Sequence, residues 1–394
     1  MKLLKGVSLL VVGLACVACG SGSSARGAKS GDNLTTTTEA RTAAAAASTT
    51  STTRPPFPAT TEVELPGLIS PAAHTYIWGY DARPTSITIT GEVGIAAGSR
   101  DSVAIEPNGT VVEFSQKGDH IDQATVPNLS DVVALADGRE DYIAISSPSP
   151  IVLDGSCPDS TVWQWDDGGV ATEDSQLNGL GVTEVAEAAG HQYALTCTGK
   201  VYVWGDAQLA LQGVISEADP TLNPTLTALT KGTDVGVQLA AGSVTGGILV
   251  DGQAYMWGNN QEDQCGCGSS AGVVPYPKPV IQSVPFVAID SGGQYVDDGQ
   301  TLAIDASGHA WCWGANADGQ CGTGTTTDVA VPTAVPGLSS VTQVAAGGDY
   351  SLFLDGGDVV ECGEAEGTMQ LTPTGVLGGI AVVSAGAYHA LAAS

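Results

Sequence analysis

From residue 94 onward the chain alternates short apolar runs with turn residues, and two anchors recur in this pattern. The first is a run of small residues ending in glycine. It appears as Ala96-Ala97-Gly98, Asp137-Gly138, Ala188-Ala189-Gly190, Ala240-Ala241-Gly242, Ser291-Gly292, Ala345-Ala346-Gly347 and Ser384-Ala385-Gly386, spaced 39 to 55 residues apart. The second is a turn glycine followed five residues later by a large side chain. Gly199 leads to Trp204, Gly252 to Trp257 and Gly308 to Trp313, each Trp being followed by Gly. Gly109 leads to Phe114 and Gly357 to Cys362 by the same count, while Trp165 and Trp78 occupy the two remaining slots. Self-similarity at a fixed offset marks a repeat architecture, and this period suits one four-stranded antiparallel sheet per repeat better than a helical hairpin. Segments such as Val201-Tyr202-Val203-Trp204 and Ser351-Leu352-Phe353-Leu354 are β-rich, and Asn108-Gly109, Asp251-Gly252 and Ser307-Gly308 are hairpin-turn pairs. Each repeat therefore reads as strand, turn, strand, turn, strand, loop, strand.

The chain ends complete this pattern. The last repeat stops at Ala390-Leu391-Ala392-Ala393-Ser394, before any Trp-Gly, whereas His74-Thr75-Tyr76-Ile77-Trp78-Gly79 is an outer strand with no inner strands before it. Joining the two makes a seventh blade and leaves no unpaired edge, so the expected fold is all-β, a seven-bladed β-propeller over residues 66–394 closed by its N-terminal outer strand.

Residues 344–352, Val-Ala-Ala-Gly-Gly-Asp-Tyr-Ser-Leu, and residues 313–322, Trp-Gly-Ala-Asn-Ala-Asp-Gly-Gln-Cys-Gly, resemble the repeat of the regulator of chromosome condensation family, the RCC1-type propellers. The resemblance runs over residues 71–394. It implies the fold, and it implies function only loosely, because one fold hosts many activities.

The N-terminus narrows the kind of propeller. Lys2 and Lys5 precede an apolar run, Gly6 to Ala18, that is short for a membrane span and suits a secretory signal. It ends in Val17-Ala18-Cys19-Gly20, which resembles a bacterial lipoprotein signal in which Cys19 is lipidated and becomes the first mature residue. Residues 1–18 are thus expected to be a signal peptide. Residues 19–65, rich in Ser, Thr, Ala and Pro, are expected to be a disordered tether, since such a stretch cannot bury enough apolar surface to offset its ordering entropy. The expected location is extracytoplasmic, lipid-anchored on the outer surface of a bacterial cell membrane.

A net charge of −29 argues against nucleic-acid partners, whose binding depends on cations neutralising phosphates. Cysteine usage suits an oxidising compartment. Cys157 and Cys197 fall on one face of the ring, and Cys312 and Cys321 flank one Trp-Gly loop, which makes these four the disulfide candidates. Cys265-Gly-Cys267 has no matching pair at zinc-like spacing. His74, His120, His191, His309 and His389 show no catalytic or metal spacing, so no catalytic residue, cofactor or metal site is expected. Acidic turns such as Asn316-Ala317-Asp318 lack the ligand series of a calcium loop.

What remains is a ring of first turns around one mouth of the shaft. It carries Arg100 and Asp101, Glu140 and Asp141, His191 and Gln192, Val244, Gln294 and Tyr295, Asp349 and Tyr350, and Tyr388 and His389. Tyrosines among polar residues on a rigid ring make a plausible protein-binding surface, with Tyr295, Tyr350 and Tyr388 as exposed anchors. Blade five adds an insertion there, and insertions on one face of a repeat array mark its binding face. The expected function is a non-enzymatic, membrane-tethered monomer that binds a protein or a cell-envelope component. Two alternatives stand beside it: an inhibitor of an enzyme such as a β-lactamase, which the family resemblance implies, and a glycan-binding lectin.

Overall fold

The computed structural model describes residues 75–394 except 80–81, 88–93, 100, 118–119, 139–140, 150, 152–156, 167, 189–190, 206–222, 225–237, 295–297 and 366–367. The signal peptide, Cys19 and the tether expected from the sequence lie outside the described residues.

All described secondary structure is β. The chain begins with β1 (Thr75–Gly79) and β2 (Ala82–Ile87). Blade one follows as β3 (Gly94–Ala97), β4 (Asp101–Ile105), β5 (Val111–Lys117) and β6 (His120–Thr125). Blade two is β7 (Val132–Asp137), β8 (Asp141–Ser146), β9 (Thr161–Asp166) and β10 (Thr172–Glu173). Blade three is β11 (Val182–Ala188), β12 (His191–Thr196), β13 (Val201–Gly205) and β14 (Asn223–Pro224). Blade four is β15 (Gln238–Ala241), β16 (Thr245–Val250), β17 (Gln253–Asn259) and β18 (Val273–Pro279). Blade five is β19 (Phe286–Ser291), β20 (Gln300–Asp305), β21 (Ala310–Gly314) and β22 (Val329–Ala334). Blade six is β23 (Val341–Ala346), β24 (Tyr350–Asp355), β25 (Asp358–Ala365) and β26 (Thr368–Gly378). Blade seven starts with β27 (Val382–Ala385) and β28 (His389–Ala393) and is completed by β1 and β2 in the order β27-β28-β1-β2.

The inner strands β3, β7, β11, β15, β19, β23 and β27 each touch the next, and β27 touches β3, which closes the ring. The closure is an antiparallel ladder from Thr75↔Ala393 to Gly79↔His389. The closing N-terminal outer strand expected from the sequence is β1. The N-terminal segment supplies both outer strands, because β2 pairs in turn with β1 (Thr75↔Ile87) and forms the rim of that blade.

The repeated residues occupy repeated environments. Turn glycines Gly109, Gly199, Gly252, Gly308 and Gly357 all have positive φ, between 74° and 91°, a region that L side chains rarely adopt. The large residues five positions on fill the gaps between blades. Trp257, Trp313, Trp165, Phe114 and Cys362 are buried, and Trp313 stacks on Phe286 with its Nε1–H donated to the Gln264 carbonyl at 3.0 Å.

The glycines that end the inner strands have a different cause. None of Gly242, Gly292, Gly347 and Gly386 has positive φ. A Cβ added at Gly242 would meet the Gly292 carbonyl oxygen, one at Gly292 the Gly347 oxygen, and one at Gly386 the Gly98 oxygen. Successive blades approach backbone to backbone here, so the small-residue anchor belongs to the ring rather than to the turn. Gly386→Ala is expected to cost about 3 kcal/mol or more, since the obstructing atom is main chain and cannot rotate away. Gly375→Ala on β26 would meet nothing within 4 Å and is expected to stay within about 0.5 kcal/mol of the parent in denaturant titration. Equal stabilities for the two variants would remove this explanation of the anchor.

An inner strand has a sheet neighbour on one side only, and its outward N–H groups need acceptors. Side chains of the preceding blade supply them. Leu239 N donates to Glu184 Oε1 at 3.1 Å, Ile289 N to Gln238 Oε1 at 3.0 Å and Ala346 N to Asp290 Oδ2 at 2.8 Å. Val383 N donates to Gln343 Oε1 and Ala97 N to Ser384 Oγ, both at 3.0 Å. Five blade seams are thus stitched by polar residues placed in otherwise apolar strands.

Candidate functional site

The first turns gather at one mouth. Three residues separate the first and second strands in blades one, two, four, six and seven, while residues 292–299 separate β19 from β20, so blade five carries a five-residue insertion. Its first residues are bonded to blade six. Gly293 N donates to the Gly347 carbonyl at 2.8 Å, and Gln294 donates through Nε2 to Asp349 Oδ2.

Among the ring residues expected from the sequence, Arg100, Glu140 and Tyr295 lie outside the described residues. Asp101, Asp141, Asp349 and Tyr388 are partly exposed at the mouth. The expectation that His191, Tyr350 and His389 line the surface is corrected, because all three are buried. Each opens its second strand and is paired with a glycine of the third strand, as in Tyr350↔Gly363, His191↔Gly205 and His389↔Gly79. That register turns its side chain into the blade seam. Tyr350 donates its hydroxyl to the carbonyls of His389, at 2.6 Å, and Gly386, at 3.0 Å. His389 Nε2 lies 2.5 Å from Ser102 Oγ, and burial holds its pKa down at about 4 despite a bond with the Ser99 backbone. Tyr350 is therefore a tie between blades six and seven rather than a docking anchor.

Among the described residues, the charged groups partly exposed at the mouth, Asp101, Asp141, Asp298 and Asp349, are acidic. Between blades two and three, Glu187 is pushed well above the usual carboxylate range, first by burial and then by Asp141 and Asp166, against a bond from Gln192 Nε2 at 3.2 Å. Between blades five and six, burial and the charges of Asp298, Asp318 and Glu364 push Asp349 up to about 7, against the bond from Gln294. The signal for these groups was present in the sequence as carboxylates clustered at blade ends, but only the fold shows that they converge in two pairs of blades.

Three further expectations meet the structure away from the mouth. Cys157 is bonded to Cys197 and Cys312 to Cys321; Cys265 is bonded to Cys267, and Cys362 is free and buried. Asn316 is a loop staple whose Nδ2 donates to the Thr325 and Thr327 carbonyls, each at 2.9 Å, and whose Oδ1 accepts from Cys321 N at 2.8 Å. Asn260 repeats this pattern one blade earlier, donating to the Ser269 and Ala271 carbonyls and accepting from Cys265 N. No group of three or more His, Cys, Asp or Glu able to hold a metal occurs among the described residues.

The fold and the repeats define the class of protein. The family model for the regulator of chromosome condensation (RCC1) repeat matches residues 251–296 and 307–354, which span parts of blades four to six. Two repeats of this chain thus match the RCC1 repeat, and the chain folds as a seven-bladed propeller. It is 28% identical over 196 residues to the mitochondrial RCC1 domain-containing protein RUG3 of Arabidopsis thaliana, covering 47% of this chain and 42% of that protein. It is 32% identical over 213 residues to human Alsin, covering 51% of this chain and 12% of Alsin. The match thus spans less than half the length of either relative.

Two solved structures share the fold. Prp20p of Saccharomyces cerevisiae, characterised together with its binding to Gsp1p and histones, superposes with a TM-score of 0.65 at 16% identity, over 83% of this chain and 92% of that one. Human WBSCR16 superposes with a TM-score of 0.67 at 16% identity, over 82% of this chain and 99% of that one.

Proposed function

We propose that this chain is a non-enzymatic protein-interaction propeller that is exported, tethered to the cell envelope by a lipid on Cys19, and engages a protein partner at the mouth formed by its first turns. The observation that carries the reading is the long first turn of blade five, five residues longer than those of most blades, whose Gly293 is bonded to Gly347 of blade six. A rigid ring holds such a turn with little entropy to lose on binding, which favours recognition of a second folded surface. The yeast propeller of the same fold, with its Gsp1p and histone partners, supports a protein rather than a small-molecule ligand. The signal-like residues 1–20 and the large negative charge support an envelope location without nucleic acid.

The test is affinity capture from envelope extracts with the full chain, followed by variants. Tyr388→Ala with Asp141→Asn is expected to reduce capture at least tenfold at unchanged melting temperature, since interface anchors can contribute about 2 kcal/mol or more. Asp251→Asn on the opposite mouth is expected to leave capture intact. In the same extracts, Cys19→Ala is expected to move the protein from the detergent phase to the aqueous phase. Full capture by the mouth variant places the interface elsewhere, and unchanged partitioning of Cys19→Ala rules out the anchor.

A further inference from the structure

The turn after the third strand is built twice from the same parts. In blade five, Asp318 N donates to Gln320 Oε1 at 3.0 Å, Gly322 N donates to the Gly319 carbonyl at 2.8 Å, and Gly322 has a φ of 61°. In blade four, Glu262 N donates to Gln264 Oε1 at 2.9 Å, Gly266 N donates to the Asp263 carbonyl at 2.9 Å, and Gly266 has a φ of 59°. The Asn316 and Asn260 staples complete the match. The sulfur chemistry differs. Cys321 is bonded to Cys312, which precedes Trp313 on β21. Met256 holds that place before Trp257 on β17, and Cys265 Sγ lies 3.8 Å from its carbonyl oxygen. Cys265 is bonded instead to Cys267, where blade five has Thr323.

The Cys265–Cys267 bond is therefore not what shapes its turn, since the same turn stands in blade five with Thr323 and no such bond. Nor does it constrain much chain. It links residues two apart, against 40 for Cys157–Cys197 and 9 for Cys312–Cys321, and the entropy removed from the unfolded chain grows with the loop that is closed. The coupling is reciprocal: a bond that adds little to folding gains little from folding, whereas the two longer-range bonds are protected by the fold they hold. Cys157 is exposed, so access alone does not single out one bond; dispensability does. Within the pair, Cys265 is buried and Cys267 is partly exposed.

We propose that Cys265–Cys267 is a thiol–disulfide exchange site that takes two electrons from a dithiol. This goes beyond the interaction reading and does not depend on it. One thiolate of the dithiol attacks Cys267 Sγ, the Cys265–Cys267 bond breaks, and Cys265 leaves with the electron pair and takes a proton. The dithiol's second thiolate then attacks its own sulfur in the mixed disulfide, and Cys267 leaves and takes a proton. The dithiol ends as a disulfide and the turn as two thiols, with two electrons and two protons moved. A monothiol is the poorer substrate, because Cys265, two residues away, reverses its mixed disulfide before a second molecule arrives.

The probe is dithiothreitol, equilibrated with the full chain at graded ratios of its reduced and oxidised forms, with thiols trapped by alkylation and located by peptide mass spectrometry. Cys265 and Cys267 are expected to be labelled together at a ratio about tenfold or more below the one that opens either other bond, at an unchanged melting temperature. Cys267→Thr copies the blade-five turn and is expected to melt as the parent does and to lose this first step. In Cys265→Ser, Cys267 is expected to be alkylated about tenfold faster than Cys265 is in Cys267→Thr, because the thiol left in the second variant is buried. Opening of Cys265–Cys267 together with or after the other bonds, or a clearly lowered melting temperature for Cys267→Thr, overturns the proposal. Neither result bears on capture of a partner by the mouth.

Discussion

Deleting residues 75–87 is expected to leave a chain that aggregates on gel filtration and melts well below the parent. The deletion removes β1 and β2, so β28 loses its five-residue ladder and presents a bare edge. An edge of unpaired N–H and C=O groups is a template for pairing with a second copy. The loss is also apolar. Ile77 is buried with Ile95, Phe114, Val382 and Leu391 at the seam between blades seven and one, and Tyr76 packs against the cluster of Leu352, Ile380 and Val383 at the seam with blade six. Burial of a large side chain is worth about 1.5 to 3 kcal/mol, and the partners left behind become exposed as well. Shortening the chain recovers some ordering entropy, but the ring cannot close around the gap, so the unpaired edge and the open seams decide the sign. A deletion variant that stays monomeric at the parental melting temperature would show that the propeller does not depend on this closure.

Stability is expected to rise as the pH falls from about 8 to about 5. Glu184 and Asp290 are seam carboxyls with one oxygen bonded to the next blade's backbone and the other without a partner, and Glu187 is equally buried. Burial, opposed by the bond from Leu239, pushes Glu184 up to about 8 from 4.5. Burial pushes Glu187 and Asp290 well above their ordinary values. A carboxyl that is easier to keep protonated when folded contributes its full stability below its unfolded pKa. That contribution is lost as the pH climbs toward the folded pKa.

His389 acts in the opposite sense. Its folded pKa of about 4 lies below 6.5, so its contribution is present above 6.5 and is lost as the pH falls toward 4. Between pH 7 and pH 5 the gain from Glu184 and the loss from His389 are each about 2 kcal/mol, at roughly 1.4 kcal/mol per pKa unit, so these two nearly cancel. Glu187 and Asp290 then set the direction. Melting temperatures measured from pH 4.5 to 9 should peak on the acid side of neutrality, and Glu184→Gln with Asp290→Asn should flatten the alkaline limb. A maximum near pH 8 in the parent would contradict the neutral-carboxyl account of the seams.

These expectations depend to different degrees on information visible in the chain. Strand positions, blade number and closure were legible because they follow from local chemistry repeated at fixed offsets. Turn glycines such as Gly252 and Gly308 are required by positive φ, and the slot five residues later is filled by a bulky side chain whichever blade it occupies. The unfinished last repeat pointed to its complement at residues 74–79, although β2 was missed because Ala82–Ile87 carries no anchor. The first turns were legible in the sequence as a set, but which of their residues face water was not. Tyr350, His191 and His389 resemble surface punctuation in the sequence, yet the pairing of β24, β12 and β28 with their third strands turns them into the seams.

The same division holds for the polar residues. By itself the sequence determined which segments are strands and how many sheets they make, because those properties need only near neighbours along the chain. Only the tertiary structure decided that Glu184, Gln238, Asp290, Gln343 and Ser384 stitch one blade to the next. The reason is physical: an inner strand has one ladder partner in its own blade, so its remaining hydrogen bonds and its electrostatic environment come from a blade about fifty residues away in the chain.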